Sequence, residues 1–222
     1  MNFMGLLKSL DELLYEVMSW LVFWPVTLWR AIRHPLRMMR YASSELSDTP
    51  EHQYEDVLSP PLFLLLSLII GHAIEVALVG DSVLVRSRAG LAGFISNDTD
   101  LMAFRLGTFA TFPLLMAARA LRSAKVPLTR EALRRPFYAQ CYVATPMALS
   151  LSIASTLSRT VVVELQLLAV VLALAGIVWF VSIEAIWFHR VHKQGRGRAL
   201  GNAVRAYLEA AVLVWVIGTV LG

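Results

Sequence analysis

An all-α integral membrane protein is the fold class this sequence predicts: a five-helix transmembrane bundle preceded by an amphipathic interfacial helix. Three observations predict it. Apolar residues fill 57% of the 222 positions and charged residues only 16%, whereas a soluble domain averages roughly 45–50% and about 25%. Five apolar segments reach the ~20 residues that a helix needs to cross ~30 Å of hydrocarbon. The basic residues gather in alternate connections, as they do on the cytoplasmic side of membrane proteins.

Residues 1–42 form the first region. Leu6, Leu7, Leu10, Leu13, Leu14, Val17, Met18 and Leu21 recur at helical spacing, with Asp11, Glu12 and Glu16 opposite. This pattern suits a helix lying at the membrane surface, and its three acids are foreign to the apolar core of a cleavable secretory signal. Trp20, Trp24 and Trp29 are residues that favour the interface, and Pro25 is expected to interrupt the helix. Arg30, Arg33, Arg37 and Arg40 then offer a basic face to anionic lipid head groups. The apolar run Val17–Trp29 is short, which favours an interfacial or re-entrant helix over a sixth crossing. Residues 43–59 carry Glu45, Asp48, Glu51, Glu55 and Asp56 and read as an acidic cytoplasmic linker, too polar to order itself.

Residues 60–222 hold the five expected spans: Pro61–Gly80, Leu101–Leu121, Phe137–Leu157, Val161–Phe188 and Leu200–Leu221. The fourth is the clearest, with no charged residue from Leu165 to Ile183, while the fifth contains Glu209. Open strands are excluded in lipid because their edge N–H and C=O groups find no partner, and the alternating segments of a barrel are absent. Pro113 and Pro146 are expected to kink the second and third spans. The pairs Ala144/Ala148, Ala169/Ala173 and Ala206/Ala210 permit close helix contact. The exterior loop Asp81–Asp100 is expected to cap the bundle, and Asn97-Asp98-Thr99 in it matches a glycosylation sequon. With five spans, sixteen of the twenty Lys and Arg residues fall on one side. The expected topology has the N-terminus in the cytoplasm and Gly222 outside.

Ionisable residues inside spans are costly, and they are the first candidates for function. His72 and Glu75 share a helix face at i,i+3 spacing, and Arg105 at the outer start of the second span lies at a similar depth. The trio reads as a proton or anion relay, or as an ion pair that fixes packing. Glu184, Arg205 and Glu209 form a second candidate cluster on the cytoplasmic side. His189 and His192 have a spacing that metals use, but no Cys or second carboxylate completes a site. Cys141 is the single cysteine, so no disulfide is expected. The net charge of +4 sits beside apolar segments, which assigns it to lipid rather than to nucleic acid. HExxH, GxSxG, P-loop and GxGxxG motifs are all absent. A non-enzymatic protein without cofactor or metal is the expectation, with the bilayer and a second membrane protein or a second copy as partners.

Two stretches carry a family resemblance: Val126–Leu149 (VPLTREALRRPFYAQCYVATPMAL) and Phe188–Tyr207 (FHRVHKQGRGRALGNAVRAY). A basic loop leads into a span with Tyr142 and Pro146, and His192 is followed by Arg198-Ala199-Leu200 at the entry to the last span. Over residues 57–222 this resembles the bacterial branch of the Yip family (Ypt/Rab-interacting membrane proteins). The resemblance implies five spans, a cytoplasmic N-terminus and residence in the bacterial inner membrane. Eukaryotic members work with Rab-type GTPases and carry Asp-Leu-Tyr-Gly-Pro near the first span. This chain has Ser59-Pro60-Pro61-Leu62 there, so the GTPase role is not carried over. The expected function is that of a membrane scaffold or organiser, with a small permease or transporter subunit as the alternative.

Overall fold

The computed structural model describes residues 3–49, 52–80 and 98–221. Seven helices account for most of them: α1 (Phe3–Arg33), α2 (Pro35–Glu45), α3 (Pro60–Val79), α4 (Asp98–Ser123), α5 (Arg130–Ser158), α6 (Val163–Arg190) and α7 (Arg196–Leu221). Helices α3 to α7 are long and apolar enough to cross a bilayer, and the chain is a multi-pass membrane protein. Of the expected Asp81–Asp100 cap and the sequon at Asn97, residues 81–97 lie outside the described residues, and Asp98–Asp100 form the start of α4.

Pro25 does not interrupt α1, which runs unbroken for 31 residues. In apolar surroundings a break would strand several backbone groups, whereas a proline inside a continuous helix removes only one donor. The break comes instead at His34, with φ −134° and ψ 53°, directly before Pro35. A proline pushes the residue ahead of it out of the helical region, and its own fixed φ suits the first turn of α2.

The linker expectation is corrected as well. Helix α2 continues through Glu45, and the described residues beyond it are tied down by polar bonds. The backbone N–H of Tyr54 donates to Glu45 Oε2 at 2.7 Å, and the Tyr54 hydroxyl to the Ala42 carbonyl at 3.1 Å. Leu58 donates its N–H to Thr27 Oγ1 at 3.1 Å and accepts from the Tyr142 hydroxyl at 2.7 Å. Val57 and Leu58 are both 4% exposed. Glu45, Glu55 and Asp56 accept from neighbouring donors, where a purely compositional reading treats them as solvated charge.

Helix α5 is the hub. It packs against α2, α3, α4 and α6, and 61% of its most apolar stretch is buried, against 11% for α6. It starts at Arg130, seven residues earlier than hydropathy suggests, because Thr129 caps it: Thr129 Oγ1 accepts from the Ala132 N–H at 3.2 Å. Tyr142, Met147, Phe63, Phe180 and Phe188 are fully buried around it. Small residues allow the close approaches. A Cβ on Gly71 of α3 would stand 2.7 Å from Ser152 Oγ, and one on Gly176 of α6 would overlap Ser150 Oγ. Helix α7 turns Ala199, Ala203, Ala206 and Ala210 inward, each at most 1% exposed. Lipid tails are as apolar as Leu, so these contacts stabilise the bundle through packing rather than through transfer from water. Leu167, Val171, Leu174 and Val178 of α6 and Leu208, Val212 and Trp215 of α7 are exposed. On a soluble protein that surface would be an aggregation hazard; around a membrane bundle it is the lipid-facing wall.

The helix ends that flank the connections after α4 and after α6 are rich in Arg, with Arg119, Arg122, Arg130, Arg134 and Arg135 around Lys125 and Arg190, Arg196 and Arg198 around Lys193, and with the α1–α2 corner they define the basic end of the molecule. The finish of α3, the finish of α5 and the start of α6 define the opposite end.

Candidate functional site

Three polar constellations stand out, one at the opposite end and two toward the basic end. The first centres on Glu75 of α3, whose side chain is 6% exposed. Helical spacing carries His72 onto the same face, and its Nδ1 lies 3.4 Å from Glu75 Oε2. Arg105 of α4 donates through Nη2 to that same Oε2, so the three predicted residues do meet. Arg159, the C-cap residue of α5, completes the group by donating Nη2 to Glu75 Oε1 at 2.6 Å. One carboxylate thus binds guanidinium groups from two other spans.

Arg159 is the member that the sequence hides. It follows the expected third span and reads there as a loop cation, and only the fold swings it back over α3. Arg105 Nη1 also lies 3.4 Å from His72 Nδ1. A single ring nitrogen serves one of these contacts at a time. With its proton on Nδ1 it donates to Glu75, and with the proton on Nε2 it accepts from Arg105. A cavity of about 200 Å³ opens beside the group between Glu75, Arg105, Ser152, Ser155 and Thr156. The arrangement can neutralise a carboxylate inside the bundle, and it offers hydroxyl groups and a switchable imidazole next to it.

The second constellation divides the predicted trio of Glu184, Arg205 and Glu209. Arg205 Nε donates to Glu209 Oε1 at 3.0 Å across one helical turn. Arg119 of α4 donates to the same oxygen at 2.7 Å, a partner that the sequence places only among the loop cations. Glu184 stands apart. It is fully buried on α6, the polar side chain facing it is Gln140 of α5, and among the described residues neither its carboxylate oxygens nor the Gln140 amide atoms find a hydrogen-bond partner. The division follows from helix rotation. Arg205 and Glu209 each lie one residue from the inward alanines Ala206 and Ala210, about 100° around the helix, and so miss the interior where Glu184 sits.

The third is the α1–α2 corner. Arg30 donates Nη1 to Asp56 Oδ2 at 2.6 Å, and the Tyr41 hydroxyl donates to Oδ1 at 2.7 Å. Burial alone would raise the Asp56 carboxyl, but the hydrogen bonds from Tyr41 and Arg30 and the Arg30 charge outweigh it and hold the group below its ordinary value. The bond network stabilises the corner at neutral pH and is lost as pH falls through that lowered value. Burial, and then the bond to Asp56, push the Tyr41 hydroxyl up, so it stays a donor. Of the four arginines expected at head groups, Arg30 is thus partly engaged. Arg40 Nε donates to the Leu36 carbonyl at 3.2 Å, and Arg33 and Arg37 are exposed. A cavity of about 390 Å³ lies here, lined by Arg30, His34, Arg37, Met38, Tyr41 and Asp56. The two histidines at the end of α6 take other roles: His189 Nδ1 donates to the Gln194 carbonyl at 2.6 Å, and the His192 ring packs on Phe188 at 5.6 Å between centroids.

Removing one partner from a buried ion pair leaves the other charges uncompensated, at a cost of about 3–5 kcal/mol. Glu75→Gln is therefore expected to lower the thermal midpoint of the purified protein far more than Glu209→Gln. The Glu209 side chain is 39% exposed, and its pairs are worth about 1 kcal/mol or less. Thermal unfolding of both variants in one detergent checks the ranking. Comparison with known proteins finds no matching family model, no matching curated protein and no matching solved structure.

Proposed function

We propose that this chain is a Yip-type protein of the bacterial inner membrane and acts as a non-enzymatic scaffold that organises the cytoplasmic leaflet. Its N-terminus and basic end face the cytoplasm, and its C-terminus lies outside. The orientation rests on the side that holds most of the Lys and Arg, and the family on the resemblance over residues 57–222.

One observation carries the scaffold reading. The bundle holds α1 at its C-terminal end and leaves its apolar stripe from Leu10 to Leu21 largely uncovered. Trp24 Nε1 donates to Ser67 of α3 at 2.8 Å, Thr27 accepts from Leu58, and Arg30 pairs with Asp56. Farther back, Leu10, Leu13, Leu14, Met18 and Leu21 are at least half exposed. A helix anchored at one end, with an uncovered apolar stripe and arginines after it, is built to bind a membrane surface. Those arginines add roughly 1 kcal/mol each on an anionic leaflet. A peptide of residues 1–42 is expected to bind vesicles containing anionic lipid at least about tenfold more tightly than zwitterionic vesicles. Equal binding to the two would remove the reading.

The Glu75 group favours a second reading, a small permease or transporter subunit. Its support is an ionisable cluster inside the spans, beside a cavity and within reach of His72. In proteoliposomes this reading predicts a proton or anion flux that Glu75→Gln abolishes. If wild-type and variant vesicles leak alike, the cluster is a packing device.

A further inference from the structure

The α1–α2 corner holds more cationic and donor groups than its own carboxylate uses. Asp56 takes one nitrogen of Arg30 and the Tyr41 hydroxyl. Arg37 lines the same cavity, and among the described residues no side chain pairs with it. His34 also lines it, and as N-cap of α2 its ring makes no capping bond. The volume of about 390 Å³ falls in the roughly 300–1,000 Å³ range of small-ligand sites. Position narrows the ligand. Asp56 precedes the first residue of α3, Pro60, by four residues, so the cavity sits where a span leaves the hydrocarbon, at head-group depth. Trp29, one residue before Arg30, is 66% exposed, as expected of a side chain resting among head groups.

We propose that this cavity binds a phosphate group, carried by an anionic lipid or free, with Arg37, His34 and Arg30 as its donors and Asp56 as the internal anion that it displaces from Arg30. Guanidinium groups suit phosphate because their planar fork donates two parallel bonds. Asp56 serves as a placeholder: it keeps Arg30 oriented and compensated while the cavity is empty, and it yields to a ligand of greater charge. The inference deepens the scaffold reading and rests on the basic end facing the anionic leaflet. The uncovered stripe of α1 provides general membrane affinity, and this cavity would provide selectivity for a head group.

The test uses the full chain in a neutral detergent, titrated calorimetrically with short-chain phosphatidic acid and, separately, with inorganic phosphate. Both probes are expected to bind and to compete. Tighter binding of the lipid assigns the site to a head group, and equal binding assigns it to free phosphate. Arg37→Gln should weaken binding at least tenfold, Asp56→Asn should strengthen it several-fold, and Arg122→Gln, exposed on α4 and outside the cavity, should leave it unchanged. The proposal is overturned if neither probe binds, if phosphate fails to compete with the lipid, or if Arg37→Gln and Arg122→Gln behave alike. It is equally overturned if Asp56→Asn weakens binding while its unfolding midpoint matches the wild type. Since α1 insertion into vesicles plays no part in detergent, failure here leaves the vesicle result for residues 1–42 standing, and the reverse also holds.

Discussion

The bond from one carboxylate to two arginines is the interaction on which this bundle turns. A carboxylate buried among spans is costly unless it is paired, and Arg105 of α4 and Arg159 of α5 hold Glu75 of α3 where it is. That need fixes the rotation of α3, because His72 and Glu75 must face inward together. It fixes the height of α5, because Arg159 caps its last turn. With α5 set, the hub is set. Gly71 and Gly176 bring α3 and α6 against it, and near its middle the Tyr142 hydroxyl donates to the Leu58 carbonyl, just before the chain enters α3.

The basic end follows a different physical rule. Water and head groups are near, so most of its charges are shared among partly exposed partners, Arg205 on Glu209 and Arg30 and Tyr41 on Asp56, while Arg119, at 13% side-chain exposure, reaches Glu209 from a more buried position. Such contacts are individually weak. The contrast gives the molecule one end locked by a buried ion group and another whose polar contacts are more exposed, where α1 and α2 lie against the bundle through the buried Ala31, Met38, Met39 and Ala42 as well as through hydrogen bonds. Glu184 belongs to neither. It is a carboxyl group buried in the interior beside Gln140, and among the described residues its two oxygens depart from the rule that buried polar groups are paired.

Much of this was legible in the residues. The five spans follow from length and hydropathy, and each alanine pair named from spacing lies at a helix contact, with Ala173 partly buried. The meeting of His72, Glu75 and Arg105 follows from helical spacing and from counting depth along two antiparallel spans. What the residues hide is tertiary. Arg159 and Arg119 look like loop cations until the helices are assembled. Glu184 looks like a neighbour of Arg205 and Glu209 because sequence supplies depth but not the relative rotation of two helices. The helix breaks at Pro35 and not at Pro25, a choice that the two prolines alone do not reveal. The order in residues 52–58 comes from Thr27, Tyr142 and Arg30, none of which is near in sequence. The family resemblance stands on residues alone.

The most direct measurement is a double-mutant cycle between Glu75 and Arg159, with unfolding followed for wild type, Glu75→Gln, Arg159→Gln and the double variant. If the carboxylate joins α3 to α5 as described, the two losses are strongly non-additive, with a coupling of about 1–3 kcal/mol. Losses that simply add would mean that the two side chains do not act on each other, and a bundle locked at this end by Glu75 would be contradicted.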